Sequence, residues 1–231
     1  MAPRISVAIP CYEMGGCGVD MLEFSFNKLI HQSLQDFETV ITDHSQDNLI
    51  EKLCDSWEGV INIKYFKNTE KRGSPTSNTN LGIAKSEGEI IKLLCQDDYL
   101  YDEQALQIID KNFASDVNWM ATSYLHTTDR ARLYNKHVPR LSDNIALKNL
   151  LGTPSAFTIR NGVDVWFDEN LSWFYDGDFY RRMVQKFGNP KVIDKITMVN
   201  YLHADQVTNT IANHALKNKE QQYVTEKMKN A

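Results

Sequence analysis

The sequence predicts an α/β fold with a central, mostly parallel sheet flanked by helices. Three observations point there. Three strand-then-helix repeats fill the first hundred residues, each strand ending in polar residues. The run Ile90 to Cys95 is mostly apolar, as in a strand buried on both faces. That run passes directly into Gln96-Asp97-Asp98, which puts paired acids at the carboxyl end of a buried strand, where open α/β sheets keep their ligands.

The elements follow in order. Ile5 to Ile9 reads as the first strand, ended by Pro10-Cys11-Tyr12-Glu13. Gly15-Gly16-Cys17-Gly18 is a flexible loop, and Met21 to Ser33 a helix with Leu22, Phe26, Leu29 and Ile30 on one face. These glycines are no dinucleotide fingerprint, because the third glycine position holds Met21. Phe37 to Thr42 is the second strand and runs into Asp43-His44-Ser45-Gln46-Asp47-Asn48. Leu49 to Trp57 is a short helix, Val60 to Phe66 a third strand by alternation, and Lys71-Arg72-Gly73-Ser74-Pro75 a basic loop. A helix over Thr76 to Ser86 carries Asn80 and Gly82 and leads to the fourth strand.

The second half is less regular. Asp102 to Phe113 is expected as a helix, Trp119 to His126 as a strand, and Thr127 to Pro139 as a polar, basic segment. A strand is expected from Phe157 to Arg160. Asp176-Gly177-Asp178 then opens a helix with Phe179, Met183 and Phe187 on one face. A late strand over Val192 to Val199 precedes the polar stretch Tyr201 to Gln206. From about Asn213 to Lys229 the chain reads as a lysine-rich helix with Leu216, Tyr223 and Met228 toward one side.

At 231 residues the chain is most simply one domain. Its net charge of −5 argues against a nucleic-acid protein, whose affinity would come from a basic face. No apolar run approaches membrane-spanning length, and the strand at Ile5 leaves no room after Met1 for a signal peptide. Cys11, Cys17, Cys54 and Cys95 form neither a CxxC nor a disulfide-scaffold spacing. A cytoplasmic protein with reduced thiols is therefore expected. The favoured reading of the C-terminal helix is packing on its own domain, and the weaker one is peripheral contact with an anionic membrane. Oligomeric state is not legible.

Taken together, Ile5-Ser6-Val7-Ala8-Ile9-Pro10-Cys11-Tyr12, Phe37 to Asp43, Asn80-Leu81-Gly82 through Gly88-Glu89-Ile90, Gln96-Asp97-Asp98 and Asp176-Gly177-Asp178 resemble the family 2 glycosyltransferases. The resemblance runs in register from about Ile5 to Asn209. It implies the nucleotide-sugar-binding GT-A fold with a smaller acceptor-side lobe: a nucleotide-binding half over 1–100, an acceptor-binding half over 101–212, and a C-terminal helix over 213–231. It implies an inverting, metal-dependent transfer from a nucleotide-diphosphate sugar, with a UDP-sugar favoured, to a hydroxyl of a carbohydrate or glycoconjugate acceptor. The cofactor would be Mn2+ or Mg2+.

Site roles follow residue by residue. Pro10 and Tyr12 would meet the nucleoside, with the Tyr12 ring stacked on the base; the alternative is a packed tyrosine. Asp43 would accept a hydrogen bond from the base, or simply form an Asx-turn. Arg72, or Lys71, would face the pyrophosphate unless that loop is merely solvated, and Asn80 would belong to the same nucleotide site. Asp97 would face the ribose and Asp98 the metal, since adjacent residues of an extended chain point to opposite sides. His203 falls where many members place a further metal ligand. Asp176 would be the general base, with Asp178 beside it, although both suit a helix N-terminus on structural grounds alone.

The chain departs from the family pattern at Cys95, where an extra acid is usual, at Tyr175-Asp176 in place of Glu-Asp, and at Thr79 in place of Arg. Two competing functions remain in view. A sugar-1-phosphate nucleotidyltransferase needs basic residues in the loop after the first strand, and nothing from Cys11 to Asn27 is Lys or Arg. A non-catalytic nucleotide-sugar-binding module would fit the loss of the acid at Cys95, but not the retention of Asp97, Asp98 and Asp176.

Overall fold

The computed structural model describes residues 2–204, 206 and 213–229. Four strands come first: β1 (Ile5–Cys11), β2 (Phe37–Asp43), β3 (Ile63–Lys67) and β4 (Ile90–Leu93). They pair in parallel in the order β3-β2-β1-β4. Helices α1 (Gly18–Leu29), α2 (Leu49–Ser56) and α3 (Pro75–Lys85) make the crossovers. Residues of β1 divide by parity, as a pleated strand requires. Ile5, Val7 and Ile9 join Leu22, Phe26 and Leu29 of α1, whereas Ala8 faces Ile83 of α3 and the aromatic core of the second half. Full burial of each such Leu, Ile or Phe is worth roughly 1.5–3 kcal/mol.

The second half contributes β5 (Tyr99–Leu100), β6 (Trp119–Thr127), β7 (Tyr134–His137), β8 (Phe157–Arg160) and β9 (Lys191–Tyr201). The helices there are α4 (Ala105–Asn112), α5 (Tyr175–Phe187) and α6 (His214–Lys229). β8 lies antiparallel between β4 and β6, β9 runs parallel to β6, and β5 and β7 close antiparallel on β9 and β6. The parallel character expected for the first half therefore holds, and a mixed extension carries the sheet onward. Strand direction depends on long-range pairing, which apolar periodicity does not encode.

Several boundaries moved for local reasons. α1 begins at Gly18, because a Cβ there would lie 2.3 Å from the Tyr12 carbonyl oxygen, so only glycine lets the helix start against the end of β1. β3 begins at Ile63, since Val60 sits in a turn with its N–H on the Trp57 carbonyl. The polar segment after β6 contains β7, which follows a turn in which the Thr127 hydroxyl accepts from Arg130 N–H at 2.9 Å.

α6 also differs from its expected stripe. Its buried residues are Glu220 and Val224, while Met228 is exposed. Lys227 of this lysine-rich helix bridges Asp168 at 2.6 Å and Asp178 at 2.9 Å. Packing on its own domain is nevertheless what the helix does: Val224 contacts the Ala146 and Leu171 cluster. Asp205 and residues 207–212, including Asn209 at the end of the resemblance, lie outside the described residues.

Candidate active site

A cleft of about 800 Å3 opens where the carboxyl ends of β1, β2 and β4 meet the amino end of α5. Pro10, Tyr12, His44 and Arg72 line one side, Cys95, Asp97, Asp98 and Asn200 the floor, and Trp173 to Asp176 the opposite wall. Tyr12 is 42% exposed, so its ring is presented to the cleft and not packed in the core.

The acidic loop is held from three directions. Gln96 reaches back to β1, accepting from Tyr12 N–H at 2.9 Å and donating to the Gly18 carbonyl at 2.8 Å. A turn closes Cys95 to Asp98, with Asp98 N–H on the Cys95 carbonyl at 3.0 Å. Because this is a turn and not extended chain, Asp97 and Asp98 do not face opposite ways. One ligand atom from each of Cys95, Asp97 and Asp98 falls within 4.8 Å of the others. Asp98 Oδ1 accepts from Asn200 Nδ2 at 2.8 Å and Tyr201 N–H at 3.1 Å. Its Oδ2 is buried near the Ser155 hydroxyl, with no hydrogen bond of ordinary geometry. Burial, reinforced by the charge of Asp97, raises the pKa of Asp98.

His203 comes to this cluster from beyond β9, with Nε2 3.0 Å from Asp97 Oδ2. Its ring stacks on Tyr201 with centroids 5.3 Å apart. The Arg130 guanidinium covers Tyr201 in turn, 5.0 Å from that ring and 4.7 Å from the Phe24 ring, and pairs with Asp20 at 2.8 Å. Beneath the cluster Lys92 is fully buried and donates to the Ser155 carbonyl; burial lowers its pKa to about 7.

Asp176 stands in the first turn of α5. Its Oδ1 accepts from Gly177 N–H at 2.6 Å and its Oδ2 from Asn149 Nδ2 at 2.7 Å. Burial outweighs these donors and pushes its pKa up to about 6. Gly177 lets α5 approach the preceding loop, since a Cβ there would sit 2.6 Å from the Ala146 carbonyl oxygen. The approach to α5 is fixed by Glu220 of α6, which accepts from Ser172 and Trp173 N–H at 2.8 Å and Phe174 N–H at 3.0 Å.

Four of the expected site residues do not line the cleft, His203 among them although it reaches Asp97. Asp178 is fully buried and ion-paired with Arg181, Arg182 and Lys227. Two positions along a helix turn the side chain by roughly 200°, so it faces away from Asp176. Asp43 is also fully buried, accepting from Ser45 N–H at 2.7 Å, Tyr65 OH at 2.7 Å and Lys67 Nζ at 3.0 Å. Burial opposes its ionisation, but those donors prevail and keep its pKa below the usual range. It ties β3 to β2, and the neighbouring His44 lines the cleft instead. Asn80 pins the loop before α5, bonding Phe167 through both its carbonyl and N–H at 2.9 Å and Glu169 at 3.1 Å. Lys71 pairs with that same Glu169, which leaves Arg72 as the basic residue of its loop at the cleft.

Sequence reasoning missed Gln96, Asn149, Ser155, Asn200 and Glu220, whose work is to hold other groups in place. It missed Asn78 as well, which joins the ends of β1 and β2 by donating to the Cys11 and Thr42 carbonyls at 3.0 and 2.8 Å. Isolated amide, hydroxyl and carboxylate side chains carry no spacing signal, whichever element they stand on. No helix of the described residues is long and apolar enough to cross a membrane.

Comparison with known proteins agrees with this architecture. The "Uncharacterized glycosyltransferase" of Rickettsia bellii is 27% identical over 172 residues, covering 73% of this chain and 24% of that protein. A Campylobacter jejuni protein named GalNAc(5)-diNAcBac-PP-undecaprenol beta-1,3-glucosyltransferase is 27% identical over 99 residues, 42% of this chain and 31% of its own length. The chain thus spans less than a third of the length of these relatives. Among solved structures, S. aureus TarS 1-349 in complex with UDP-GlcNAc superposes with a TM-score of 0.71 at 17% identity, over 91% of this chain and 62% of that one. The mannosyltransferase PcManGT from Pyrobaculum calidifontis, in complex with GDP-Man and Mn2+, gives 0.60 at 14% identity over 88% and 58%. These likenesses establish the GT-A fold. The model of the family "Glycosyl transferase family 2" matches residues 6–162, well over half of the sequence, and the chain belongs to that family.

Proposed function

We propose that this chain transfers a sugar from a nucleotide-diphosphate sugar, with UDP the favoured nucleotide, to a hydroxyl of a glycan or glycoconjugate, inverting the anomeric centre. One observation carries the reading. A carboxylate tuned to a pKa of about 6, Asp176, shares a single cleft with Asp97 and Asp98 at the carboxyl ends of a parallel sheet. Such a carboxylate is ionised at neutral pH yet basic enough to take a proton.

Tyr12 stacks on the base, and Arg72 sets a positive charge toward the diphosphate. Asp97, Asp98 and His203 would hold a divalent cation. They fit one: Asp97 and Asp98 bring carboxylate oxygens within 4.8 Å of each other, the His203 imidazole reaches Asp97 at 3.0 Å, and Asp98 Oδ2 is buried without a hydrogen bond, a costly arrangement that a cation relieves. When bound, the cation supplies positive charge against the departing diphosphate. Asp97 is thereby read as a ligand alongside Asp98, which replaces the expected division between ribose and metal.

Asp176 accepts the acceptor hydroxyl's proton as that oxygen forms its bond to the anomeric carbon. The carbon–phosphate-oxygen bond breaks and the nucleoside diphosphate leaves. Direct attack in one displacement inverts the centre. Asn149 and Gly177 keep the Asp176 carboxylate aimed during this step. Trp173, Phe174 and Tyr175 form an aromatic wall suited to the C–H faces of an acceptor sugar. Support for the donor comes from the TarS structures with UDP and UDP-GlcNAc, and support for a lipid-linked glycan acceptor from the name of the Campylobacter relative.

The test is hydrolysis and transfer with a panel of UDP-, GDP- and TDP-sugars, with Mn2+ or with chelator. Chelator-sensitive release of one nucleoside diphosphate is expected. Release of pyrophosphate from a nucleoside triphosphate and a sugar phosphate would instead make the chain a nucleotidyltransferase.

A further inference from the structure

The cation site described above contains a sulfur atom. We propose that Cys95 Sγ is a ligand of that site, so that the chain prefers a borderline-soft transition-metal ion, of the Co2+ or Zn2+ type, to Mg2+. The inference rests on the metal reading under Proposed function and adds a donor to it.

Two independent features support it. The turn that brings Asp97 and Asp98 together also places Cys95 in the same group, within 4.8 Å of both, and at the cleft. Asp98 is 1% exposed, its Oδ1 is committed to Asn200 and Tyr201, and its Oδ2 is left buried without a hydrogen bond. A site assembled from carboxylate oxygens alone suits hard cations such as Mg2+. A thiolate, with the imidazole of His203 nearby, shifts the donor set toward softer ions. Binding exchanges the S–H bond for a metal–sulfur bond, and the proton leaves to solvent. No electron is transferred.

The other thiols are distinguishable. Cys11 and Cys54 are buried in the core beside α1 and α2, and Cys17 is exposed at the start of α1. The experiment therefore uses the Cys17→Ser chain, titrated with Co2+ and followed in the near ultraviolet. A sulfur-to-cobalt charge-transfer band that saturates with Co2+ is expected, together with its loss in the additional Cys95→Ser variant. That variant should still bind Co2+ by calorimetry through Asp97, Asp98 and His203. In Cys95→Asp the affinity ratio should move from Co2+ toward Mg2+.

Saturable Co2+ binding without the band, or an unchanged Co2+-to-Mg2+ ratio in Cys95→Asp, would overturn the sulfur ligand and leave the metal reading standing. UDP binding that no divalent ion alters, with no Co2+ bound, would overturn the metal reading itself. The two failures are thus told apart.

Discussion

The variants Asp176→Asn and Asp178→Asn separate chemistry from architecture at two carboxylates one residue apart. Asn at 176 keeps the size but cannot take a proton, and loss of a positioned general base lowers turnover by roughly 10²–10⁴-fold. Its stability should barely change. The folded-state pKa of Asp176, about 6, lies above the ordinary carboxylate value, so the ionised group costs stability at neutral pH. The amide removes that cost but offers one acceptor to two donors, Gly177 N–H and Asn149 Nδ2. The two changes oppose each other.

Asp178→Asn behaves in the opposite way. Arg181, Arg182 and Lys227 lose their shared buried counter-charge. Breaking such a network costs roughly 3 kcal/mol, which lowers the melting temperature of a chain this size by roughly 6–12 °C. Turnover per folded molecule should survive. The assay is steady-state transfer at saturating donor and at a temperature where both variants are folded, with melting followed by circular dichroism. Wild-type kcat/KM should also fall about tenfold per pH unit below the Asp176 pKa of about 6, a limb that Asp176→Asn abolishes. An inactive but fully stable Asp178→Asn, beside an Asp176→Asn that transfers sugar normally, would refute the assignment.

Three further outcomes follow from the geometry. Asn149→Ala removes the 2.7 Å donor to Asp176 Oδ2, so the acid limb of the pH profile should shift to higher pH; an unmoved limb would show that Asn149 does not tune the base. Glu220→Ala strands three backbone N–H groups ahead of α5, at roughly 1–3 kcal/mol. It should raise the acceptor KM more than the donor KM, and equal changes in both would remove its positioning role. Arg130→Ala takes away the cover on Tyr201, which stacks on His203, so Mn2+ affinity measured by calorimetry should weaken by roughly 10–100-fold, as for lost outer-shell support of a metal ligand; undiminished affinity would disconnect the stack from the metal.

What could be read in the sequence followed the range of the interactions involved. β1 and β4 are mostly apolar runs ended by polar residues, and their burial on both faces shows in the composition itself, whereas β2 is betrayed by its β-branched residues. Asp97, Asp98 and Asp176 stood out because acids beside a buried strand or at a helix start are conspicuous. Asp43 and Asp178 stood out for the same reason, and the structure buries both away from the cleft lining. Sequence does not distinguish a carboxylate facing a ligand from one held by Tyr65 and Lys67, or by Lys227 from a helix 49 positions away. Gln96 works across 84 positions and Glu220 across 48, separations at which a single sequence carries no pairing signal. β5 is only two residues long, and β7 (Tyr-Asn-Lys-His) has no aliphatic residue to mark a buried face. Gly18 reads as loop because glycine is a weak helix former, yet the missing Cβ is what permits the helix there.

The central claim is that Asp97 and Asp98, with His203 held against Asp97, form a cation-dependent diphosphate site at the cleft that Asp176 shares. Isothermal titration of UDP into the wild-type chain and into Asp97→Ala, each with Mn2+ and with chelator, tests it most directly. The wild type should bind UDP much more tightly with Mn2+ than with chelator, and Asp97→Ala should show the weak, chelator-like affinity under both conditions while melting as a folded protein. Equal UDP affinity with and without Mn2+ in the wild type, or Mn2+-enhanced binding that persists in Asp97→Ala, would contradict it.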